Sequence, residues 1–335
     1  MIWCLGAAFT PKKTEQQVAG NGSDLRLYRR IVECVRAGED YYEAAGREMR
    51  AVGYPTGSIF NWRPPLYAWL IGSLPTPTWA QTILAMLAAF TMLLACTMMQ
   101  REGGRLRVVV GILPLIGAFS WCIDGDAFFS QELWAGILIC LSICAYLRDR
   151  WQMSLAAALF ALFFRELALP YCLIALFLAW RQRRRKEIAG WLLGLGLYGV
   201  YMAVHVLSVR ERILPDDRVP ASWIQFGGAA FLLVTCRMNA YLFNLPLWVS
   251  ALYLPLALLG LIGWRGWTGG RLALTAGVYV AAFAVVGQPF NDYWGLLTAP
   301  LLACGFAAAP QALGDLCVSL HEQCPASLVN RRPQL

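Results

Sequence analysis

The sequence predicts an all-α, polytopic transmembrane protein of about nine spans plus a partial first one, with two amphipathic helices in its first extracytoplasmic loop. Three observations carry that expectation. Of 335 residues, 59% are hydrophobic and only 14% charged, against roughly 25% charged in soluble domains. Apolar runs approach the ~20 residues a helix needs to cross a bilayer. Short arginine-rich clusters separate them, so the +8 net charge is first a signal of orientation and gives no support to nucleic-acid binding.

The elements follow in order. Residues 1–9 are apolar but too short to cross, and read as a truncated first span. Residues 10–65 form a long polar segment. Spans are then expected over Trp79 to Met99, Val108 to Cys122 and Leu133 to Leu147. An apolar tract from Met153 to Trp180 follows, then Ile188 to Leu207, Tyr241 to Ile262, Leu272 to Gly287 and Trp294 to Pro310. Residues 66–310 thus make one transmembrane helical domain, and 311–335 a cytoplasmic tail.

Arg101, Arg105 and Arg107, Arg148 and Arg150, Arg181 to Lys186, and Arg265 and Arg271 lie in alternate short loops, which belong inside. The loops from Asp124 to Gln131, Ser208 to Gln225 and Gln288 to Tyr293 then face outward with residues 10–63. The Met153 to Trp180 tract must cross an even number of times, yet its 28 residues span about 42 Å as a helix. Arg165 and Glu166 interrupt its middle, which predicts two short helices or a re-entrant hairpin turning there near the outer face.

Within the outer segment, Ser23 and Asp24 are placed to cap a helix whose Leu27, Tyr28, Ile31 and Val35 share a face, with Gly38 as its stop. Asp40 and Glu43 have capping-box spacing for a second helix ending at Gly53. Pro64 and Pro65 open a third, among interfacial Trp62, Tyr67 and Trp69. Of the eleven cysteines, Cys96, Cys122, Cys140, Cys144, Cys172, Cys236 and Cys304 lie in or beside apolar runs and read as packing residues. With two distant histidines and no C-x-x-C pair, zinc or haem chemistry has little support. No phosphate loop, serine-hydrolase elbow or zinc-protease motif occurs.

The stretch SDLRLYRRIVECVRAGEDYYEAA (23–45), two loop helices and the Arg-Pro-Pro entry to the next span resemble integral-membrane glycosyltransferases of the GT-C superfamily. DGDAFFSQELW (124–134) and FNDYWGLLTAPLLA (290–303) extend the resemblance. The near absence of a first span and of a large C-terminal extracytoplasmic domain departs from the family pattern. The short loops fit a bacterial inner membrane, and the resemblance implies a hexosyltransferase with an outward-facing active site. It would move a sugar from a polyprenyl-phosphate donor to a lipid, glycan or protein acceptor, with inversion. It also implies Asp24 as the general base and Asp40 as second catalytic candidate.

Such transfer needs a base for the incoming hydroxyl and positive charge for the departing phosphate. Asp24 is equally suited to a helix's first turn, and Asp40 to a cap. Arg63 and Arg165 are the expected phosphate contacts, Arg63 being equally able to snorkel to headgroups and Arg165 to pair with Glu166, which would orient it. Glu132, His205 and Asp292 complete the substrate-binding candidates. Asp124, Asp126 and Glu132 bring three carboxylates to the outer face, enough to hold a divalent cation, although their spacing matches no defined metal loop and solvation accounts for them more simply. A lone His205 on an apolar helix is also a natural interhelical hydrogen-bond partner. Two other classes stay open: a transporter or lipid flippase using Arg165 and Glu166 along its path, though no internal repeat supports it, and a non-catalytic membrane scaffold.

Overall fold

A computed structural model describes residues 15–146 and 150–323 of the chain. The expected truncated span and the end of the expected tail lie outside the described residues. Among these residues the fold is helical, apart from one isolated bridge between Ile224 and Val286.

Helix α1 (Glu15–Arg36) and α2 (Tyr41–Ala51) form the polar N-terminal layer. Helix α1 runs through Ser23 and Asp24, so neither residue caps it. Leu27, Tyr28, Ile31 and Val32 face the interior at helical spacing. The helix ends before Gly38, whose positive φ of 93° is open to glycine at little cost. Asp40 then caps α2, accepting the backbone N–H groups of Tyr42 and Glu43. A short α3 (Leu66–Gly72) follows Pro64 and Pro65.

The segment Pro77–Phe119 contains a break at Gly104, where φ is 72° and ψ is −169°. A side chain on Gly111 would meet both the Met99 sulfur and Ala307. Twelve residues of continuous helix would separate positions 99 and 111 by about 18 Å. The segment is therefore a helical hairpin, α4, turning at the basic loop that the sequence pattern separates from its apolar flanks.

At the centre stands α5 (Gln131–Tyr146), in which every residue from Gln131 to Ala145 is buried. A buried apolar helix surrounded by others is the core of this bundle. Helices α6 (Trp151–Phe164) and α7 (Leu169–Arg181) flank an extended residue, Arg165, and a single turn, Glu166–Ala168. They fold back on each other, since the Cys172 thiol reaches the Ala158 carbonyl at 3.5 Å. The charged pair thus breaks the tract where expected.

Helix α8 (Arg185–Arg210) leaves Leu193, Leu197, Val200, Val204 and Leu207 exposed, an apolar stripe that water does not favour. Helix α9 (Gly228–Cys236), which the sequence reading assigns to no span, precedes a single turn, Ala240–Phe243. Helices α10 (Leu247–Gly263), α11 (Gly266–Val285) and α12 (Ala299–Gln323) complete the bundle. Gly260 and Gly305 let α10 and α12 approach so closely that a Cβ on either would overlap the other's backbone.

Among the described residues four helical segments are long and apolar enough to cross a membrane: Pro77–Ile123, Arg185–Arg210, Gly266–Val285 and Ala299–His321. Shorter apolar helices fill the interior between them. Links between the connecting segments sort the ends of the bundle. Arg29 pairs with Asp126, Arg50 with Asp217, and Gln288 bonds to the Ser222 carbonyl at one end. Trp264 bonds to Glu102, Arg107 to Gln311 and Arg265 to Asp315 at the other. The arginine-rich turns thus gather opposite the long polar segment.

Candidate active site

Five distant parts of the chain meet at the first of these ends. Helix α1 presents Asp24 and, one turn on, Tyr28; the approach to α3 presents Arg63. The first turn of α5 presents Glu132, the break between α6 and α7 presents Arg165, and the turn Asp292–Leu297 presents Tyr293. Gly136 allows that last turn to sit against α5, because a Cβ there would strike the Leu296 carbonyl.

Glu132 is the electrostatic centre. Its Oε1 accepts from Arg165 Nε at 2.7 Å and lies 2.9 Å from Arg63 Nη1, while Oε2 accepts from the Ser130 hydroxyl at 3.1 Å. Arg165 also pairs with Glu166, as anticipated. Two buried guanidinium groups against two carboxylates leave this cluster close to neutral, the condition under which buried charge is tolerated.

Arg63 is anchored further. Its Nε and Nη2 donate to the Tyr28 hydroxyl at 3.0 and 2.8 Å, and Nη2 to the Tyr293 hydroxyl at 3.1 Å. Its Nη1 is near Glu132 but makes no aligned hydrogen bond. The Tyr293 hydroxyl also accepts from Asn291 Nδ2 at 3.1 Å, which leaves its own proton for Asp24, its remaining hydrogen-bond partner.

Asp24 lies outside the neutral cluster yet within its field. Burial pushes its carboxyl up to about 6; attraction to Arg63 and the Tyr293 hydrogen bond oppose the rise, and repulsion from Glu132 adds to it. Burial likewise raises Asp292 to about 6, although its carboxylate accepts the Tyr293 N–H at 2.9 Å. A cavity of about 230 Å³ opens beside Asp24, lined also by Tyr28, Trp121, Glu132 and Tyr293, with Asp124 and Asp126 on its wall.

The structure therefore brings together Asp24, Arg63, Glu132, Arg165, Glu166 and Asp292, all singled out from the sequence. It separates others. Asp40 is a half-exposed cap, 3.5 Å from Arg212, and does not line the cavity. His205 is buried, with Nδ1 at 3.2 Å from the Tyr42 hydroxyl and Nε2 at 3.2 Å from the Trp62 carbonyl, so both ring nitrogens tie α8 to the polar layer. Asp126 is held by Arg29 at 3.0 Å, and among the described residues no three Asp, Glu, His or Cys side chains group to hold a metal ion. Arg165 is enclosed by Glu132 and Glu166, which leaves little of its fork for a phosphate.

Tyr28, Trp121 and Tyr293 belong to the site without having been singled out. Tyr28 carried a signal, since it lies four residues from Asp24 and so on the same helical face. Arg237 was also missed. It follows α9 beside the cavity-lining Met238, stacks on Phe243 and draws Asp292 down electrostatically. Compared with known proteins, the chain matches no family model, no curated protein and no solved structure.

Proposed function

We propose that this chain is a multi-pass inner-membrane glycosyltransferase that moves a sugar from a polyprenyl-phosphate donor to a hydroxyl acceptor at the extracytoplasmic face, with inversion. The reading carries about nine spans and puts the arginine-rich turns in the cytoplasm. One observation supports it most: a buried carboxylate, Asp24, beside a cavity, hydrogen-bonded by the Tyr293 hydroxyl and within the field of Arg63, with its pKa raised to about 6. A general base works best when its pKa lies near the working pH, and at pH 7 such a group is ionised yet basic enough to accept a proton.

In the proposed step the acceptor oxygen attacks the anomeric carbon and gives its proton to Asp24. The bond from that carbon to the phosphate oxygen breaks, and its electron pair leaves with the polyprenyl phosphate. Glu132 fixes Arg63 and Arg165, Tyr293 positions Asp24 within the field of Arg63, and Arg237, which adjoins the cavity-lining Met238 and Phe243, meets the departing phosphate. The order of groups replaces the direct phosphate roles first expected of Arg63 and Arg165.

Native mass spectrometry of the protein in mild detergent tests the donor class, and transfer from a panel of polyprenyl-phosphate hexoses in proteoliposomes tests the chemistry. We expect a retained polyprenyl phosphate that Arg237→Gln weakens, and transfer that Asp24→Asn lowers by about 10²–10⁴-fold without loss of the folded protein. Full transfer by Asp24→Asn would overturn the base assignment. Retention of bulk phospholipid alone, with no transfer from any donor, would overturn the glycosyltransferase reading.

A further inference from the structure

At the end of the bundle opposite Asp24, a groove of about 380 Å³ lies between the last turn of α7 and the first turns of α11. Its charged lining residues are Arg181 and Arg271, and no carboxylate lines it. Arg271 is 3% exposed, and its Nη1 and Nη2 have no hydrogen-bond partner. Its guanidinium carbon lies 3.6 Å from the centre of the Tyr146 ring, which holds the group in place without neutralising it. The Tyr171 hydroxyl, bonded to Ser142 at 2.8 Å, also approaches the guanidinium as a neutral hydrogen-bonding partner, which leaves the charge of Arg271 without a carboxylate.

An unpaired guanidinium buried near the end of a membrane-spanning helix is costly, and an anion supplied from outside the chain removes that cost. The walls identify the kind of anion. Phe177, Trp267 and Leu274 are large apolar side chains exposed along the rim, continuous with the exposed flank that includes Leu173 and Trp180. A soluble anion has no use for these walls; acyl chains do. Gly266 and Gly270 form part of the lining, and a Cβ on either would meet nothing within 4 Å, so the space beside Arg271 is open.

We infer that this groove binds the phosphate headgroup of an anionic phospholipid, with Arg271 and Arg181 on the phosphate oxygens and the acyl chains along Phe177, Trp267 and Leu274. Planar guanidinium forks match phosphate oxygens, and two donors stacked around an open floor favour a headgroup of net negative charge over a zwitterionic one. The site is independent of the proposed transfer reaction and lies at the far end of the bundle from it.

The test is native mass spectrometry of the full chain released from nanodiscs of equal parts phosphatidylglycerol and phosphatidylcholine. The wild type is expected to retain phosphatidylglycerol preferentially. Arg271→Met, which keeps an apolar stem against Tyr146, should lower that retention about tenfold or more, as loss of a charge-assisted contact does. Arg181→Gln should lower it less, and Gly270→Leu, which fills the open floor without touching either arginine, should also lower it. Millimolar inorganic phosphate should not displace the lipid. Unchanged phosphatidylglycerol retention in Gly270→Leu and Arg181→Gln would overturn the site even if Arg271→Met failed to fold. Equal retention of the two lipids by the wild type, or displacement by inorganic phosphate, would overturn the choice of ligand.

Discussion

The two ends of the bundle each bury arginine, and they neutralise it differently. At the Asp24 end, Arg63 and Arg165 share Glu132, and tyrosine hydroxyls take the spare donors. At the other end, Arg271 meets a tyrosine ring and no carboxylate. The contrast assigns different duties to the same side chain. Paired guanidinium groups stiffen a site and aim its other groups; an unpaired one is an invitation to a ligand.

The largest way to break the comparison is at Glu132. Glu132→Ala leaves two buried cations without their shared partner, and the expected cost is about 3–5 kcal/mol, read as a large drop in melting temperature or loss of the monodisperse detergent-solubilised protein. A melting temperature within error of the wild type would show that the charges at this end are not compensated through Glu132. Asp24→Asn should instead leave the fold intact and reduce transfer by about 10²–10⁴-fold, the usual worth of a general base. Below pH 6 wild-type transfer should fall as Asp24 takes up a proton, and should plateau above it.

Stability should show the opposite trend. The folded-state value of about 6 exceeds the ordinary carboxylate value near 4, so the folded protein binds this proton more tightly than the unfolded chain. The stability this gives is fully present below pH 4 and is lost as pH rises to 6, an effect on the order of 2–3 kcal/mol. Asp292 contributes in the same direction. Denaturation followed from pH 4 to 6 should therefore show a shallower fall in Asp24→Asn than in the wild type, and parallel curves would remove the burial argument.

Asp40→Ala sharpens the distinction between neighbouring carboxylates. Loss of an N-cap costs about 1 kcal/mol, and transfer per folded molecule should be unchanged. A 100-fold drop in turnover would return Asp40 to the catalytic group. The smallest effect is expected from Arg271→Met in detergent free of anionic lipid. Exchanging an unpaired buried cation for an apolar side chain should be neutral or slightly stabilising there, unlike Glu132→Ala, and calorimetry with and without phosphatidylglycerol separates the two.

Much of the site was legible because charge is rare in apolar sequence. Arg165 and Glu166 stand out in the tract from Met153 to Trp180, and the chain breaks there. Arg63, Glu132 and Asp292 stand out in the same way at the edges of apolar runs, whereas Asp24 lies in the polar segment and was singled out by the family resemblance. The local signals were weaker guides. Ser23 and Asp24 have the chemistry of a cap, yet α1 continues through them, because propensity at one residue yields to the helix around it. The expected span Tyr241 to Ile262 is divided into a single turn and α10, and α9 is too short for a span-length window to reveal.

What the amino-acid sequence determined by itself is the membrane-like composition, the alternation of basic and polar connections, and the positions where charge must leave the lipid. Those follow from hydrophobicity and charge, which act residue by residue. Only the tertiary structure decided which charges are paired. Glu132 lies 69 residues from Arg63 and 33 from Arg165, and Tyr293 lies 230 from Arg63, so no local pattern links them. The same holds at the far end, where Arg271 is set apart from its fellow arginines by the neighbours that packing supplied and by the carboxylate that packing withheld.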